Sequence, residues 1–307
     1  MARKAERQAF RAAGVGWFEW AVHWIILSAL LQGCALFHRP SEDVLTVRAQ
    51  SLSLQASDAC RRGDWTSARE WFDEAIKACP TDVQTRRRYA EALWDQGLVD
   101  DSLNQMKEAV RLSADAPEVL IRYGRLLVSA GRTAEADAVS RRAVARFPSN
   151  AQALALRGAV LQQRGAYDEA MSIYHQALRR QPDYPQVKLA LAEIAHRRGQ
   201  HQRCLATLSA LKEDYPQGRI PWQVDWLEGL ALHDLDRFAE AAERFSHVAS
   251  SGNASAEVLY READAWYRAG RYRRAWMAAQ ELARSFPDYE PGRALHAELA
   301  SLPTRLR

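Results

Sequence analysis

Few side chains in this 307-residue chain could do chemistry. His196 and His201 lie five apart and straddle Gly199. Side chains share a helical face at i, i+3 or i+4, so these rings do not meet on one face. The pair reads as a solvated turn, not as half of a metal site. No G-x-S-x-G elbow, Walker loop, H-E-x-x-H or C-x-x-C occurs. No catalytic group, cofactor or metal is therefore expected. The runs Arg86-Arg87-Arg88 and Arg271-Tyr272-Arg273-Arg274 could meet phosphates, but they read as solvated helix surface. The chain sets 42 basic against 38 acidic residues, a formal charge of +4, without the basic excess of a nucleic-acid binder. Nucleic acid is excluded as a partner on that ground. What remains is binding chemistry, carried by Trp, Tyr and Arg.

The elements that must position those residues repeat. Gly63, Gly97, Gly131, Gly165 and Gly199 recur every 34 residues, and after three extra residues the count resumes through Asp236 to Gly270. Pro80, Pro148, Pro182, Pro216 and Pro287 each stand 17 residues past such a glycine. A period of this length is the mark of a repeat architecture. Each unit reads as two amphipathic helices. Gly caps the first in a left-handed conformation, and Pro, lacking an amide donor, stops the second. At 48% hydrophobic and 26% charged the chain has the make-up of a folded protein. Four cysteines are too few for a disulfide-stapled mini-domain.

Numbering each unit so that the glycine is position 15 starts them at 49, 83, 117, 151, 185, 222 and 256. Position 8 then holds Ala56, Ala90, Gly124, Gly158, Ala192, Gly229 and Ala263. Position 20 holds Ala68, Ser102, Ala136, Ala170, Cys204, Ala241 and Ala275. Small residues at both places let paired helices approach closely. Large ones fill alongside, Trp65, Tyr167, Phe238 and Tyr272 at position 17 and Phe72, Tyr174 and Phe245 at position 24. This pattern resembles the tetratricopeptide repeat family. The resemblance implies an all-α, right-handed superhelical solenoid of seven helix pairs over residues 49–289, closed by a capping helix over 290–303. Unit 3 departs from it with Ser140 at position 24 and unit 7 with Ala279, while units 2 and 6 carry Ala114 and Asn253 in place of the terminal Pro. The insertion Arg219-Ile220-Pro221 is a place for the array to bend. Cys204 reads as a small core residue. Cys60 and Cys79, at opposite ends of a hairpin about 20 Å apart, lie beyond the ~7 Å reach of a disulfide.

In this family positions 2, 5, 9 and 12 line the concave face. Here they carry Arg87 and Trp94 in unit 2, Arg125 in unit 3, Trp226 in unit 6, and Tyr260 and Tyr267 in unit 7. Aromatic and Arg side chains of this kind make partner anchors. Unit 4 offers the milder set Gln152, Ala155, Ala159 and Gln162. The expected partner is a protein or peptide of unknown identity. Packing between neighbouring repeats is the alternative role for Trp94, Trp226 and Tyr267.

The first residues point to a membrane. Arg3, Lys4, Arg7 and Arg11 precede an apolar run from Ala21 to Leu31, which leads into Leu31-Gln32-Gly33-Cys34. The last four resemble the lipobox of bacterial lipoproteins, which implies lipidation of Cys34 and residues 1–34 as a signal. The alternative is an uncleaved anchor from Val15 to Phe37, since a span needs about 20 residues. Both put the repeats outside the cytoplasm, in a bacterial cell envelope, behind a polar tether over 35–48. The reading is a non-catalytic, membrane-tethered scaffold, with cell-envelope assembly as its expected setting. An adaptor subunit of an enzyme complex and a glycan-binding wall module are the alternatives.

Overall fold

The computed structural model describes residues 42–215 and 220–303, with fifteen α-helices and no strand among them. The signal, lipobox or anchor expected over 1–34 lies outside the described residues. Among the described residues no helix is long and apolar enough to cross a membrane. Clustering of contacts gives two compact units, one ending at Leu112 and the other beginning at Ser113.

The first unit holds α1 (Glu42–Arg61), α2 (Trp65–Ala78), α3 (Val83–Asp95) and α4 (Val99–Leu112), with α3 packed on both helices of the preceding hairpin. The second unit is an all-α solenoid of five hairpins. These are α5 (Pro117–Ser129) with α6 (Thr133–Arg146), α7 (Ala151–Gln163) with α8 (Tyr167–Arg180), and α9 (Pro185–Arg197) with α10 (His201–Glu213). Then follow α11 (Trp222–His233) with α12 (Phe238–Val248), and α13 (Ala256–Arg268) with α14 (Tyr272–Ser285). Each hairpin packs on the next in chain order. The closing helix α15 (Glu290–Ser301) buries Leu295 and Leu299 against the last hairpin. A stacked array leaves one apolar side bare, and this helix covers it.

The local chemistry matches the period. Six hairpin turns pass through Gly at φ between +70° and +80°, where a Cβ would crowd the backbone. The seventh passes through Asp236 at φ 58°. Where the terminal Pro is missing, the second helix ends by other means. After α4 the chain takes Ala114 and Asp115 at positive φ, and after α12 a π-turn over Ala249–Asn253 closes on Gly252 at φ 85°.

All fourteen residues at positions 8 and 20 are buried. At two of them glycine is required by what lies opposite. A Cβ on Gly158 would stand 2.4 Å from Tyr174, and one on Gly229 2.6 Å from Phe245. Phe72, Tyr174 and Phe245 at position 24 are buried, while the position-17 aromatics are half-buried. Unit 3, lacking a large residue at position 24, substitutes polar contacts. Ser140 Oγ donates to the Asp137 carbonyl at 3.0 Å and accepts from Arg157 Nη1 at 3.3 Å.

One boundary differs from expectation. The polar tether expected over 35–48 is helical from Glu42, because α1 extends the first repeat backwards by seven residues. Leu45 packs on the core and Ala49 is fully buried, which anchors the extension. Acidic Asp43 at its start also suits the positive end of a helix dipole. The insertion before unit 6 lies partly outside the described residues. Pro221 is the N-cap of α11, which begins at Trp222.

Candidate functional site

Within the second unit, repeats 3 to 5 open a groove of about 1110 Å³. Its floor is the exposed face of α7, where Gln152, Ala155, Ala159 and Gln162 fall on one side at helical spacing. From α5 come Arg122, Arg125 and Val128, and from α9 come Gln186, Ala190 and Glu193. Tyr184, just before α9, reaches back so that its hydroxyl accepts from Arg125 Nη2 at 3.0 Å. A hydrogen-bonded chain crosses the floor. Tyr174 Oη donates to Gln162 Oε1 at 2.9 Å, and Gln162 Nε2 donates to Glu193 Oε2 at 2.9 Å. Burial, followed by the charge of Glu193, pushes the Tyr174 hydroxyl up, so it remains a donor at any ordinary pH.

Charge around the groove is one-sided. Four arginines line it (Arg122, Arg125, Arg164 and Arg197) against one carboxylate, Glu193. Asp137 beside it gathers Arg157 at 2.5 Å, Arg164 at 3.0 Å and Arg141. The hydrogen bond from Arg157 holds the Asp137 carboxyl below its ordinary value, and the surrounding guanidinium charges add to that. The groove thus joins a floor of small side chains and amides to a rim that carries several guanidinium groups. It offers no nucleophile beside a base.

The anchors expected from the sequence are dispersed. Arg125 lines the groove. Trp226 is half-buried with its ring 5.4 Å from Phe245, and Tyr260 lies 5.9 Å from Tyr289. Tyr267 packs beside Tyr272 and donates to Glu298 at 2.6 Å. These three are packed against the core of repeats 6 and 7. Arg87 and Trp94 are half-buried on α3 in the first unit, where Arg87 Nη1 donates to Gln84 at 3.2 Å. Cys34 lies outside the described residues. Sequence reasoning missed Arg122, Arg164, Tyr174 and Tyr184 as groove residues. For Tyr184 the one signal available was a tyrosine immediately before the helix-starting Pro185.

The structure also corrects the reading of His196 and His201. The two Nδ1 atoms lie 3.3 Å apart, and each lies 3.6 Å from Asp234 Oδ2. Spacing on a single helix was the wrong ruler, because the chain reverses between them. Gly199 donates to the His196 carbonyl at φ +71°, and the His201 ring folds back over that turn, its Nε2 3.9 Å from where a Gly199 Cβ would stand. Burial pushes the His196 imidazole below its ordinary value, which favours the neutral ring. Cys60, Cys79 and Cys204 are free thiols.

No curated protein matches the sequence. A tetratricopeptide repeat protein from Parabacteroides merdae is similar at 16% identity and TM-score 0.62, over 83% of this chain and 99% of that one. Yeast Tom70 is similar at 16% identity and TM-score 0.59, over 89% and 57% of the respective chains. The APC/C hetero-tetramer Cut9–Hcn1 is similar at 12% identity and TM-score 0.65, over 80% and 48%. Residues 161–223 match one tetratricopeptide repeat family, and residues 87–141 and 124–174 match a second under the same description. With those matches lying on helical hairpins built around buried small residues, residues 87–223 carry tetratricopeptide repeats.

Proposed function

We propose that this chain is a non-catalytic scaffold that holds an extended, acidic segment of a protein partner in the groove of repeats 3 to 5. The groove carries the reading. Small side chains clear its floor, Gln152, Gln162 and Gln186 offer amides to a peptide backbone, and Arg122, Arg125 and Arg197 outnumber Glu193, Arg164 being held by Asp137, which favours negative charge in the occupant. A glycan module would instead present isolated aromatic faces. Trp226 and Tyr260 pack on Phe245 and Tyr289, which favours peptide over sugar. That Cut9 is found in a hetero-tetramer with Hcn1 agrees with partner binding on a similar fold. Delivery to the bacterial envelope and tethering through Cys34 follow from the lipobox-like Leu31-Gln32-Gly33-Cys34. Tethering raises the local concentration of a weak binder.

The test is a crosslinked pull-down from envelope fractions with the parent chain and an Arg125→Ala, Gln162→Ala double variant. Loss of one defined partner in the variant, with unchanged circular dichroism, supports the reading. Capture of the same partner by both chains refutes the groove. Cys34→Ser should abolish lipid labelling and processing, and an unprocessed mature parent would favour the anchor.

A further inference from the structure

His196, His201 and Asp234 come from three separate elements. His196 is in the last turn of α9, His201 is the first residue of α10, and Asp234 caps the C-terminus of α11 in the following repeat. We propose that they form a binding site for a divalent transition metal of the zinc class, clipping repeat 5 to repeat 6. This proposal does not depend on the groove.

The geometry carries it. In a tetrahedral site with zinc–nitrogen bonds of about 2.0–2.1 Å, neighbouring donor atoms stand roughly 3.3–3.4 Å apart. The three donor atoms here are separated by 3.3, 3.6 and 3.6 Å, close to one face of such a tetrahedron. Two imidazoles and a carboxylate are a donor set that zinc accepts, with a fourth position left for water or a partner side chain. All three belong to one cluster whose ligand atoms lie within 4.8 Å of each other.

The surroundings agree. The C-terminal ends of α9 and α11 both face the site with negative dipole charge, against one N-terminal end, that of α10. Nearby cations are turned elsewhere, Arg198 to Asp168 and Arg197 to the groove. His233 Nε2 is held by Asp264 at 3.0 Å, while its Nδ1 lies 3.8 Å from Asp234 Oδ1. At 3.8 Å His233 makes no hydrogen bond to Asp234, and it stands as a polar neighbour of that carboxylate. The competing account is a histidine–histidine hydrogen bond closed by Asp234, with no metal affinity beyond that of scattered surface histidines.

The experiment titrates the full-length chain with Zn²⁺, and with Co²⁺ as a spectroscopic probe. The expected result is one equivalent bound, with the visible bands of four-coordinate cobalt and a melting temperature raised by Zn²⁺ and restored by EDTA. His201→Ala and Asp234→Ala should each weaken binding by at least about tenfold. A Cys60→Ser, Cys79→Ser variant should bind like the parent. Should the His196→Ala, His201→Ala variant bind with unchanged stoichiometry and affinity, or the parent bind no metal in molar excess, the proposal is overturned. Circular dichroism of each variant separates loss of the site from loss of the fold, and if an alanine variant unfolds, His201→Asn takes its place.

Discussion

Replacing Gly158 by Ala tests the packing rule of the array at its tightest point. A Cβ there would stand 2.4, 2.6 and 2.9 Å from Tyr174 Cε1, Cδ1 and Cζ, all carbons of a rigid ring. The ring has little freedom to retreat. Tyr174 is 3% exposed, and its hydroxyl is held by Gln162 at 2.9 Å. Overpacking of this kind costs about 1–3 kcal/mol, while Ala in place of a helical Gly returns roughly 0.5–1 kcal/mol. The balance is a loss of about 1 kcal/mol at mid-range and about 2.5 kcal/mol at most. Each kcal/mol should lower the melting temperature by about 2–4 °C in a chain of this size. The assay is thermal and urea unfolding of the full-length protein followed by far-ultraviolet circular dichroism. Gly124→Ala is the matched comparison, since its closest neighbour is a Leu156 methyl at 2.4 Å, the free end of a side chain that can turn. It should lose less. Repeat 1 supplies the counter-argument, because there Ala56 and the aromatic Phe72 occupy the same two positions and both are fully buried. A Gly158→Ala protein as stable as its parent would mean that α7 and α8 re-space as readily as α1 and α2 do. The ring would then not be what demands glycine.

Asp236 occupies the left-handed turn position that Gly fills in the other six repeats, at φ 58° and exposed to solvent. Asp236→Gly should raise stability by up to about 1 kcal/mol, read as a higher urea midpoint. Because Asp137 titrates below its ordinary value in the folded chain, its stabilisation is complete above that ordinary value, about 3.9, and is lost as pH falls through the lowered one. Asp137→Asn should therefore weaken the fold at neutral pH and flatten the decline of the urea midpoint in acid; an unchanged acid decline would show that Asp137 is not its source. Burial pushes the Cys204 thiol up to about 12. It should escape maleimide at pH 8 in the folded protein and react in denaturant, as peptide mapping will show.

The fold was legible because its determinants are local and recur. A glycine every 34 residues marks each turn, and a small residue at positions 8 and 20 marks each helix crossing. The seven-residue backward extension of α1 was not legible, since nothing in Glu42–Arg48 differs from a polar tether except that Leu45 finds a core to pack on. Long-range pairings were hidden for a related reason. Arg125 meets Tyr184 across 59 residues, and Asp234 meets His196 across 38, so helical spacing carries no trace of either. What Asp236 and Ser140 lack in family pattern the structure makes good with a left-handed turn and a polar cluster.

The position of the groove reverses the weight that sequence reading gives to aromatic residues. Large side chains at inner positions of a stacked array have a neighbour within reach, and they fill the space between the two helices of their own repeat. Trp226 does so against Phe245, and Tyr267 against Tyr272. Alanines cannot fill it. Ala155, Ala159 and Ala190 leave open volume where repeats 3 to 5 adjoin, and the long polar residues at its margin reach over that volume instead of into a core. An inner set such as Gln152, Ala155, Ala159 and Gln162 is thus what leaves a groove floor open, where an aromatic set closes it. Filling the floor by Ala159→Leu should then block the partner without costing the fold its helices, whereas Trp226→Ala should lower stability and leave binding intact. The opposite pattern in the pull-down and the melts would return the anchor role to the aromatic side chains.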